Sequence, residues 1–258
     1  MDDWEGYGIA SYGDAAAASY DRVHVPDDDA VACLARLAGQ GPVLELGIGT
    51  GRLALPLVER GLEVHGIDAS EAMVARLRAK PGSDRVRVTM GDFADVEVDG
   101  IFSLVFIAFN TFFALLTAEA QQRCFANAAR RLDPGTGRFV IEGFVPDSSR
   151  FVRDQHLEVA HVGIDGARLN ASRHDAAAQR VDSLVIVVSN DGVETWPARL
   201  RYSYPAELDA MAATAGLQLE ARWEGWAGEV FDERDSPRHV SVYRRNASNI
   251  DAQRARSR

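Results

Sequence analysis

Two acidic residues flank a run of three closely spaced glycines near the start of the chain. Glu45 lies two positions before Gly47, the glycines recur at every second position up to Gly51, and Asp68 follows a further apolar stretch. Glycine has no Cβ, so the backbone can turn sharply here and a ligand can approach it closely. A carboxylate at the position of Asp68 can accept hydrogen bonds from ribose hydroxyls. These residues predict a turn that binds a nucleoside.

The elements that must hold this turn can be predicted from the pattern of apolar residues. Residues 43–46 predict a short strand, the spacing from Leu53 to Val58 predicts a helix, and residues 64–67 predict a second strand that ends on Asp68. A strand, a glycine-rich turn, a helix and a second strand ending in an acid make a βαβ nucleotide-binding unit.

The spacing of the glycines indicates which nucleoside derivative the turn would accept. A dinucleotide site has the pattern G-x-G-x-x-G with the pyrophosphate at the helix N-terminus, whereas this chain has G-x-G-x-G. The carboxylate of Glu45 is a poor neighbour for a pyrophosphate and suits a ligand with a cationic end. S-adenosylmethionine carries an ammonium and a sulfonium. A nicotinamide enzyme and a purely structural turn remain the alternatives.

Residues 45–51 together with Asp68 closely resemble the cofactor motif of class I (Rossmann-like) S-adenosylmethionine-dependent methyltransferases of the small bacterial type in specialised metabolism. In that family Tyr20 would reach over the methionine end of the cofactor, with packing of its helix on the domain as the alternative. Asp92 would bind the adenine amino group, or else be a turn residue, and Met73 would lie against the adenine or in the core. The resemblance implies that the cofactor is S-adenosyl-L-methionine. The sequence shows no metal-binding constellation, so we expect no metal. It implies these cofactor contacts: Tyr20, Glu45, Gly47, Gly49, Asp68, Ala69, Met73, Asp92, Phe93 and Ile107.

The acceptor site is predicted at the end of the apolar strand 101–107. In an open α/β sheet, ligands lie beyond the carboxyl ends of the strands. Asn110 follows this strand and would either orient the acceptor or cap the next turn, while Phe112 and Phe113 would form a wall of the pocket. Arg173 and Trp226 are further candidates for the acceptor site, with ion pairing and core packing as their alternatives.

A catalytic base is needed only for some acceptors. An oxygen or an acidic carbon usually requires a base within hydrogen-bond reach, whereas a nitrogen acceptor needs only to arrive neutral. His174 and His239 occur in polar clusters near predicted strand ends and are the candidates for this base, with Asn110 as a further catalytic candidate. The alternative for each histidine is a hydrogen-bonded surface or core residue.

The predicted fold is a doubly wound α/β sheet of seven mostly parallel strands. Its last strand is antiparallel, and alternating stretches after strand five predict a small inserted antiparallel sheet with a hairpin at residues 190–192. The predicted parts are a helical lid segment at 1–40, a cofactor-binding half at 41–143, the inserted cap at 144–204, a helix and hairpin at 205–245, and a disordered tail at 246–258. Within the first part, residues 1–13 are expected to be disordered or a lid over a site, and residues 15–20 predict a helix. The last alternating stretch of the cap is predicted at 193–204.

Composition limits the partners of the chain. Its 258 residues carry a net charge of −10, which argues against a broad nucleic-acid surface. Cys33 and Cys124 fall in apolar helical patterns and are predicted to be reduced core residues. No signal peptide and no apolar run of about 18 residues occurs, so we expect a cytoplasmic protein without a membrane partner, as a monomer or homodimer.

Two functions fit these observations. The first is a methyltransferase that acts on a small molecule or peptide, with N-methylation favoured over O- or C-methylation. The second is a cofactor-binding protein of the same fold that catalyses a cyclisation or decarboxylation in natural-product biosynthesis.

Overall fold

The structure is a computed structural model that describes residues 4–246. In chain order the strands are β1 Val43–Leu46, β2 Val64–Asp68, β3 Val86–Met90, β4 Leu104–Ile107, β5 Arg138–Phe144, β6 Gln155–Gly163, β7 Gly166–Asp175, β8 Arg180–Ser189, β9 Gly192–Arg201, β10 Leu217–Trp223 and β11 Arg238–Arg245. The α-helices are α1 Ser11–Ala16, α2 Tyr20–Val23, α3 Asp28–Ala38, α4 Ala54–Glu59, α5 Glu71–Arg78, α6 Ala118–Arg131 and α7 Pro205–Thr214.

The main sheet has seven strands in the order β10-β11-β5-β4-β1-β2-β3. Strand β11 runs antiparallel to both of its neighbours, and the pairs from β5 to β3 are parallel. The predicted seven-stranded sheet with an antiparallel last strand is therefore confirmed. The chain order reverses between β1 and β4, and in such sheets the crevice at this switch point binds ligands.

Apolar side chains on both faces of the sheet explain why its central strands are continuous hydrophobic runs. Every residue of β1 and of β4 is buried. On one face, the ring of Phe125 from α6 packs edge-to-face on Phe139 and Tyr243, with ring centroids 5.3 and 5.6 Å apart. Cys33 and Cys124 are buried and free of disulfide bonds, as predicted.

The inserted unit is a four-stranded antiparallel sheet in the order β6-β7-β8-β9. Its β8–β9 hairpin turns at the predicted position, and Ser189 pairs with Gly192 across it. Strand β9 ends at Arg201, three residues before the predicted end at Tyr204. The reason is that Tyr204 is the N-cap of α7, and its N–H donates to the Glu207 carboxylate at 2.7 Å.

Three sequence predictions differ from the observed elements. Strand β4 is shorter than residues 101–107, since Ile101 is half exposed and only residues from Leu104 join the ladder. The helix predicted at 15–20 is instead two helices, α1 and α2. Residues 1–13, predicted to be disordered or a lid, contain the start of α1. Residues 1–3 and 247–258, which include nearly all of the predicted tail, lie outside the described residues. Between residues 4 and 246, no helix is long and apolar enough to span a bilayer.

Asp27 caps the N-terminus of α3, and its removal should measurably destabilise the fold. Its Oδ1 accepts hydrogen bonds from the backbone N–H groups of Asp29 and Ala30, at 3.0 and 3.1 Å. We expect Asp27→Ala to lower the free energy of unfolding by about 1 kcal/mol in urea denaturation. Asp28→Ala is the matched control, because this neighbouring first-turn carboxylate makes no cap bond and should cost less. Equal losses for the two variants would contradict the capping role.

Candidate active site

The glycine-rich turn adopts a backbone that only glycine accepts easily. Gly47, Gly49 and Gly51 have φ values of 78°, 54° and 77°, in the left-handed region. A Cβ on Gly47 would lie 2.5 Å from the Cγ2 atom of Thr111, whereas a Cβ on Gly49 would meet no atom within 4 Å. The turn is thus packed on one side and open on the other, which leaves room for a ligand above Gly49.

Asp68 fixes this turn to the end of β2. Its Oδ2 accepts the N–H of Gly49 at 2.7 Å, and its Oδ1 accepts the N–H of Ser70 at 2.9 Å. Burial raises the pKa of the Asp68 carboxyl. Each oxygen can accept a further hydrogen bond, and Asp68 borders the open side of the turn.

Glu45 is a buried carboxyl with an unmet hydrogen-bonding capacity. The residue is 4 % exposed, and among the described residues its Oε2 has no hydrogen-bond partner. The pKa of this carboxyl is raised to about 8, mainly by burial; the charge of Arg52 lowers it and that of Asp68 contributes to the rise. Burial of a carboxyl without a hydrogen bond or an opposite charge costs free energy. A ligand cation nearby would offset this cost.

A cavity of about 420 Å³ lies over the turn, between the main sheet, the N-terminal segment and one face of the inserted sheet. The main sheet and its loops contribute Gly47, Gly49, Asp68, Ala69, Ser70, Met73, Phe93, Phe109, Asn110, Thr111, Ala114 and Phe144. The N-terminal segment contributes Tyr7, Ile9, Tyr12, Gly13, Tyr20 and His24. The inserted sheet and the turn before it contribute Arg150, Glu158, Arg168, Asn170, Ser172, Val181, Ser183, Val185, Trp196, Ala198, Arg199 and Leu200.

Comparison with known proteins identifies the family. Residues 43–135 match the family model described as a methyltransferase domain. The structure of the CcbJ methyltransferase from Streptomyces caelestis is 41% identical, covers 93% of this chain and 100% of that chain, and superimposes with a TM-score of 0.86. The chain belongs to the class I S-adenosylmethionine-dependent methyltransferases.

Two further relatives extend this comparison. The cypemycin N-terminal methyltransferase of a Streptomyces species is 27% identical over 228 residues, which are 86% of this chain and 93% of that protein. The structure of S-adenosylmethionine-bound CalS10, an amino pentose methyltransferase from Micromonospora echinaspora, shares the fold. It is 24% identical, covers 89% of this chain and 95% of that chain, and has a TM-score of 0.68. As a member of this family, the chain uses S-adenosylmethionine as its cofactor, as predicted, and not a nicotinamide dinucleotide.

Eight of the residues predicted to bind cofactor or acceptor line the cavity of this methyltransferase. They are Tyr20, Gly47, Gly49, Asp68, Ala69, Met73, Phe93 and Asn110. Glu45 and Ile107 do not line the cavity and belong to strands whose residues are all buried. Asp92 is outside the lining as well, and its Oδ1 accepts the N–H of Ala94 at 2.8 Å in a local turn.

Phe112 and Phe113 do not wall the pocket of the methyltransferase, which corrects the prediction. Both side chains are completely buried; the Phe112 ring packs on Phe125 at 5.5 Å, and the Phe113 ring packs on Phe144 at 4.9 Å. Residues 111–114 form a 3₁₀ turn, in which positions three apart share a face. Thr111 and Ala114 therefore face the cavity, and the two phenylalanines between them point into the core.

The two histidines predicted as the base of the methyltransferase also lie outside the cavity. The Nε2 atom of His174 is 2.8 Å from the Tyr202 hydroxyl, and its ring stacks on Phe151 at 4.7 Å. His239 is fully buried, its Nδ1 lies 2.9 Å from the Ser241 hydroxyl, and burial lowers its pKa to about 4. For both histidines, the alternative of a hydrogen-bonded core residue describes the observed contacts.

Arg173 and Trp226 are likewise directed away from the cavity of the methyltransferase. Side chains alternate between the two faces of a strand, and Asn170 and Ser172 of β7 face the cavity. Arg173 consequently lies on the opposite face, where its Nη2 is 3.3 Å from the Asp182 carboxylate. Trp226 is 6 % exposed and packs in the core.

Sequence reasoning missed most of the lining that the methyltransferase receives from its inserted sheet and its N-terminal tyrosines. The inserted sheet presents polar pairs to the cavity: the hydroxyls of Ser172 and Ser183 are 2.8 Å apart, and Asn170 Nδ2 donates to Glu158 Oε2 at 3.2 Å. Alternation along β7 and β8 was the available signal. Only the packing of this sheet over the turn shows which of its two faces is the inner one.

Phe109 is a further lining residue that sequence reasoning missed. It has a left-handed φ of 56°, which is unusual for a bulky side chain. Its N–H donates to the Oε2 atom of Glu142 at 2.5 Å, and its ring packs against His24 at 5.4 Å. The strained residue is thus held at the cavity by a half-buried carboxylate from β5.

Proposed function

We propose that this enzyme transfers a methyl group from S-adenosylmethionine to an amine nitrogen of a small-molecule or peptide acceptor. The observation that carries the proposal is one continuous cavity, bounded by the glycine-rich turn at one side and by the inner face of the inserted sheet at the other. The name of the cypemycin N-terminal methyltransferase supports an amine acceptor on a peptide.

The cofactor would occupy the side of the cavity formed by the main sheet. Asp68 would accept hydrogen bonds from the ribose, Ala69, Met73 and Phe93 would contact the adenine, and Tyr20 would cover the methionine end. Glu45 would compensate the positive charge of the ligand from behind the turn, which gives its unsatisfied oxygen a role. Gly49 leaves the backbone open where the ligand must pass.

The acceptor would lie against the inserted sheet. The Ser172–Ser183 and Asn170–Glu158 pairs offer hydrogen bonds to polar groups of the acceptor, and Phe109 provides an apolar contact. The Oδ1 atom of Asn110 accepts the N–H of Phe144 at 2.9 Å, so this side chain ties the loop after β4 to β5. We infer that Asn110 orients the acceptor by fixing this loop.

The chemistry requires positioning more than acid–base catalysis. Bound S-adenosylmethionine would supply a methyl carbon on a sulfonium. The lone pair of the acceptor nitrogen would form the new bond as the carbon–sulfur bond breaks in line with its electrons going to sulfur, and the methylated ammonium would then lose its proton to solvent. The protein holds the nitrogen in line and excludes water. His24 borders the cavity, but burial lowers its pKa to about 4, so it is neutral and a weak base at pH 7. His24 would therefore not take the proton of the amine, which we expect to arrive already deprotonated.

The position of methylation can be tested with matched acceptors. The enzyme would be incubated with methyl-labelled S-adenosylmethionine and pairs of compounds that differ only in an amine or a hydroxyl group, on peptide N-termini and on amino sugars. Mass spectrometry should find the label on nitrogen. Label found only on the hydroxyl or carbon acceptors would overturn the proposal.

His174→Gln tests whether a histidine base is required. The Gln amide can still hydrogen-bond to the Tyr202 hydroxyl, so the fold should be preserved. Because His174 lies outside the cavity, we expect kcat at saturating acceptor to stay within about threefold of wild type, whereas losing a general base costs roughly 10²–10⁴-fold. The readout is formation of S-adenosylhomocysteine. A fall in kcat of about a hundredfold in a folded variant would show instead that His174 acts as the catalytic base.

A further inference from the structure

Helix α2 bridges the two halves of the cavity. Tyr20 and His24, at either end of this short helix, both line the cavity. Between them, Asp21 contacts the glycine-rich turn and Arg22 contacts the inserted sheet. Two adjacent residues with opposite charges therefore attach the same segment to opposite sides of the site.

The contacts of Asp21 form a closed set with the turn. Its Oδ1 accepts the hydroxyl of Thr50 at 2.6 Å, and its Oδ2 lies 2.7 Å from the ammonium of Lys80. The Lys80 Nζ also donates to the backbone oxygen of Thr50 at 2.8 Å. Thr50 is completely buried and lies between Gly49 and Gly51. We call Asp21, Thr50 and Lys80 the clasp.

The position of the clasp, and not its contribution to folding stability, indicates its role. The side chains of Asp21 and Lys80 are 41% and 30% exposed, and an exposed pair of this kind contributes little to folding on its own. Both groups, however, converge on the residue that separates two glycines of the turn. Any outward movement of α2 must break these bonds and carries Tyr20 away from the cavity.

We propose that Asp21 and Lys80 are positioning residues that hold α2 over bound S-adenosylmethionine and so set the rate at which the cofactor leaves. The inference rests on the proposed placement of the cofactor beside the glycine-rich turn. It adds a retention device formed by residues that do not themselves line the cavity.

The other end of the bridge supplies a matched control. Arg22 Nη2 lies 2.7 and 2.9 Å from the two carboxylate oxygens of Glu194, and the Nη1 of Arg168 donates to the backbone oxygen of Val23 at 3.2 Å. Arg22 thus joins the same helix to β9 without touching the turn. Removing it should loosen the side of the inserted sheet and leave the clasp intact.

The test measures cofactor dissociation by stopped-flow displacement in the full chain. We expect Lys80→Met and Asp21→Asn each to accelerate dissociation of S-adenosylmethionine about fivefold, because each removes a partly exposed charge-assisted contact with the segment. Lys80→Arg should recover part of the slow rate. Arg22→Met should remain within about twofold of wild type, and urea denaturation should show that all four variants are folded.

Two outcomes would overturn the proposal. Dissociation within twofold of wild type in both Lys80→Met and Asp21→Asn would show that the clasp does not retain the cofactor. An equal acceleration in Arg22→Met would show that α2 acts only as part of the fold. Either failure is distinct from failure of the proposed cofactor site, in which case Asp68→Ala would also leave cofactor binding unchanged.

Discussion

Asp68→Ala is expected to weaken S-adenosylmethionine binding by roughly 10- to 150-fold. A hydrogen bond to a charged group contributes about 1.5–3 kcal/mol, and about 1.4 kcal/mol corresponds to tenfold in affinity. The substitution removes the proposed acceptor for the ribose and also releases the N–H of Gly49, so the turn loses one of its attachments to β2, while the N–H groups of Gly47 and Ile48 still donate to the Ile67 oxygen. Isothermal titration calorimetry measures the effect directly.

Two further variants show whether this loss of cofactor affinity is specific to the Asp68 carboxylate. Asp68→Asn keeps an oxygen that can accept the N–H of Gly49 but lacks the charge, and it should lie between wild type and Asp68→Ala. Asp92→Ala is the matched control, because Asp92 is assigned to the adenine by resemblance alone and does not line the cavity. It should stay within about threefold of wild type. Unchanged affinity in Asp68→Ala would remove this residue from the cofactor site.

The parts of the site that the sequence could predict are those formed by local geometry. The turn from Gly47 to Gly51 and the acid at the end of β2 belong to one βαβ unit, so their types and spacing place them together before any tertiary contact is known. The same holds for Ser70, the N-cap of α5, whose hydroxyl accepts the N–H of Met73. The mostly parallel arrangement of the sheet follows from the same alternation of strands and helices.

The rest of the site depends on packing that one sequence does not reveal. A run of aromatic residues at 112–113 could face a ligand or the core, and the 3₁₀ turn that decides between them is set by tertiary contacts. His174 and Arg173 are neighbours on β7 with opposite directions, but the choice of inner face depends on how the inserted sheet lies over the turn. Tyr7 and Tyr12 line the cavity from a segment without a recognisable motif.

Glu45→Gln is expected to abolish the pH dependence of cofactor binding. In the free protein burial raises the Glu45 pKa to about 8, so the carboxyl is mostly protonated at pH 7. A cationic ligand favours the ionised carboxylate, hence binding should release a proton and affinity should rise with pH, by at most tenfold per unit. Between pH 6 and 7.5 we expect a gain of about tenfold for wild type and no gain for Glu45→Gln.

Proton release can be measured by calorimetry in two buffers whose ionisation enthalpies differ. The apparent binding enthalpy of wild type should depend on the buffer, and that of Glu45→Gln should not. The range stops at pH 7.5 because the α-amino group of the ligand, with a usual pKa near 8, would lose its own charge above it. Equal buffer dependence in both proteins would show that Glu45 is not the group that titrates.

The same carboxyl should make the free protein less stable as the pH rises. The unfolded chain loses the Glu45 proton near its ordinary pKa of 4.5, whereas the folded protein keeps it until about pH 8, so the folded state binds more protons in between. The free energy of unfolding should therefore contain a contribution that falls from pH 5 to pH 8, and this fall should be smaller in Glu45→Gln. Saturating S-adenosylmethionine should also reduce it, because a cation beside the turn returns the carboxyl towards its ordinary pKa. The buried acid Glu45 lowers the stability of the free protein at neutral pH, and its proposed role is to balance the positive charge of bound S-adenosylmethionine.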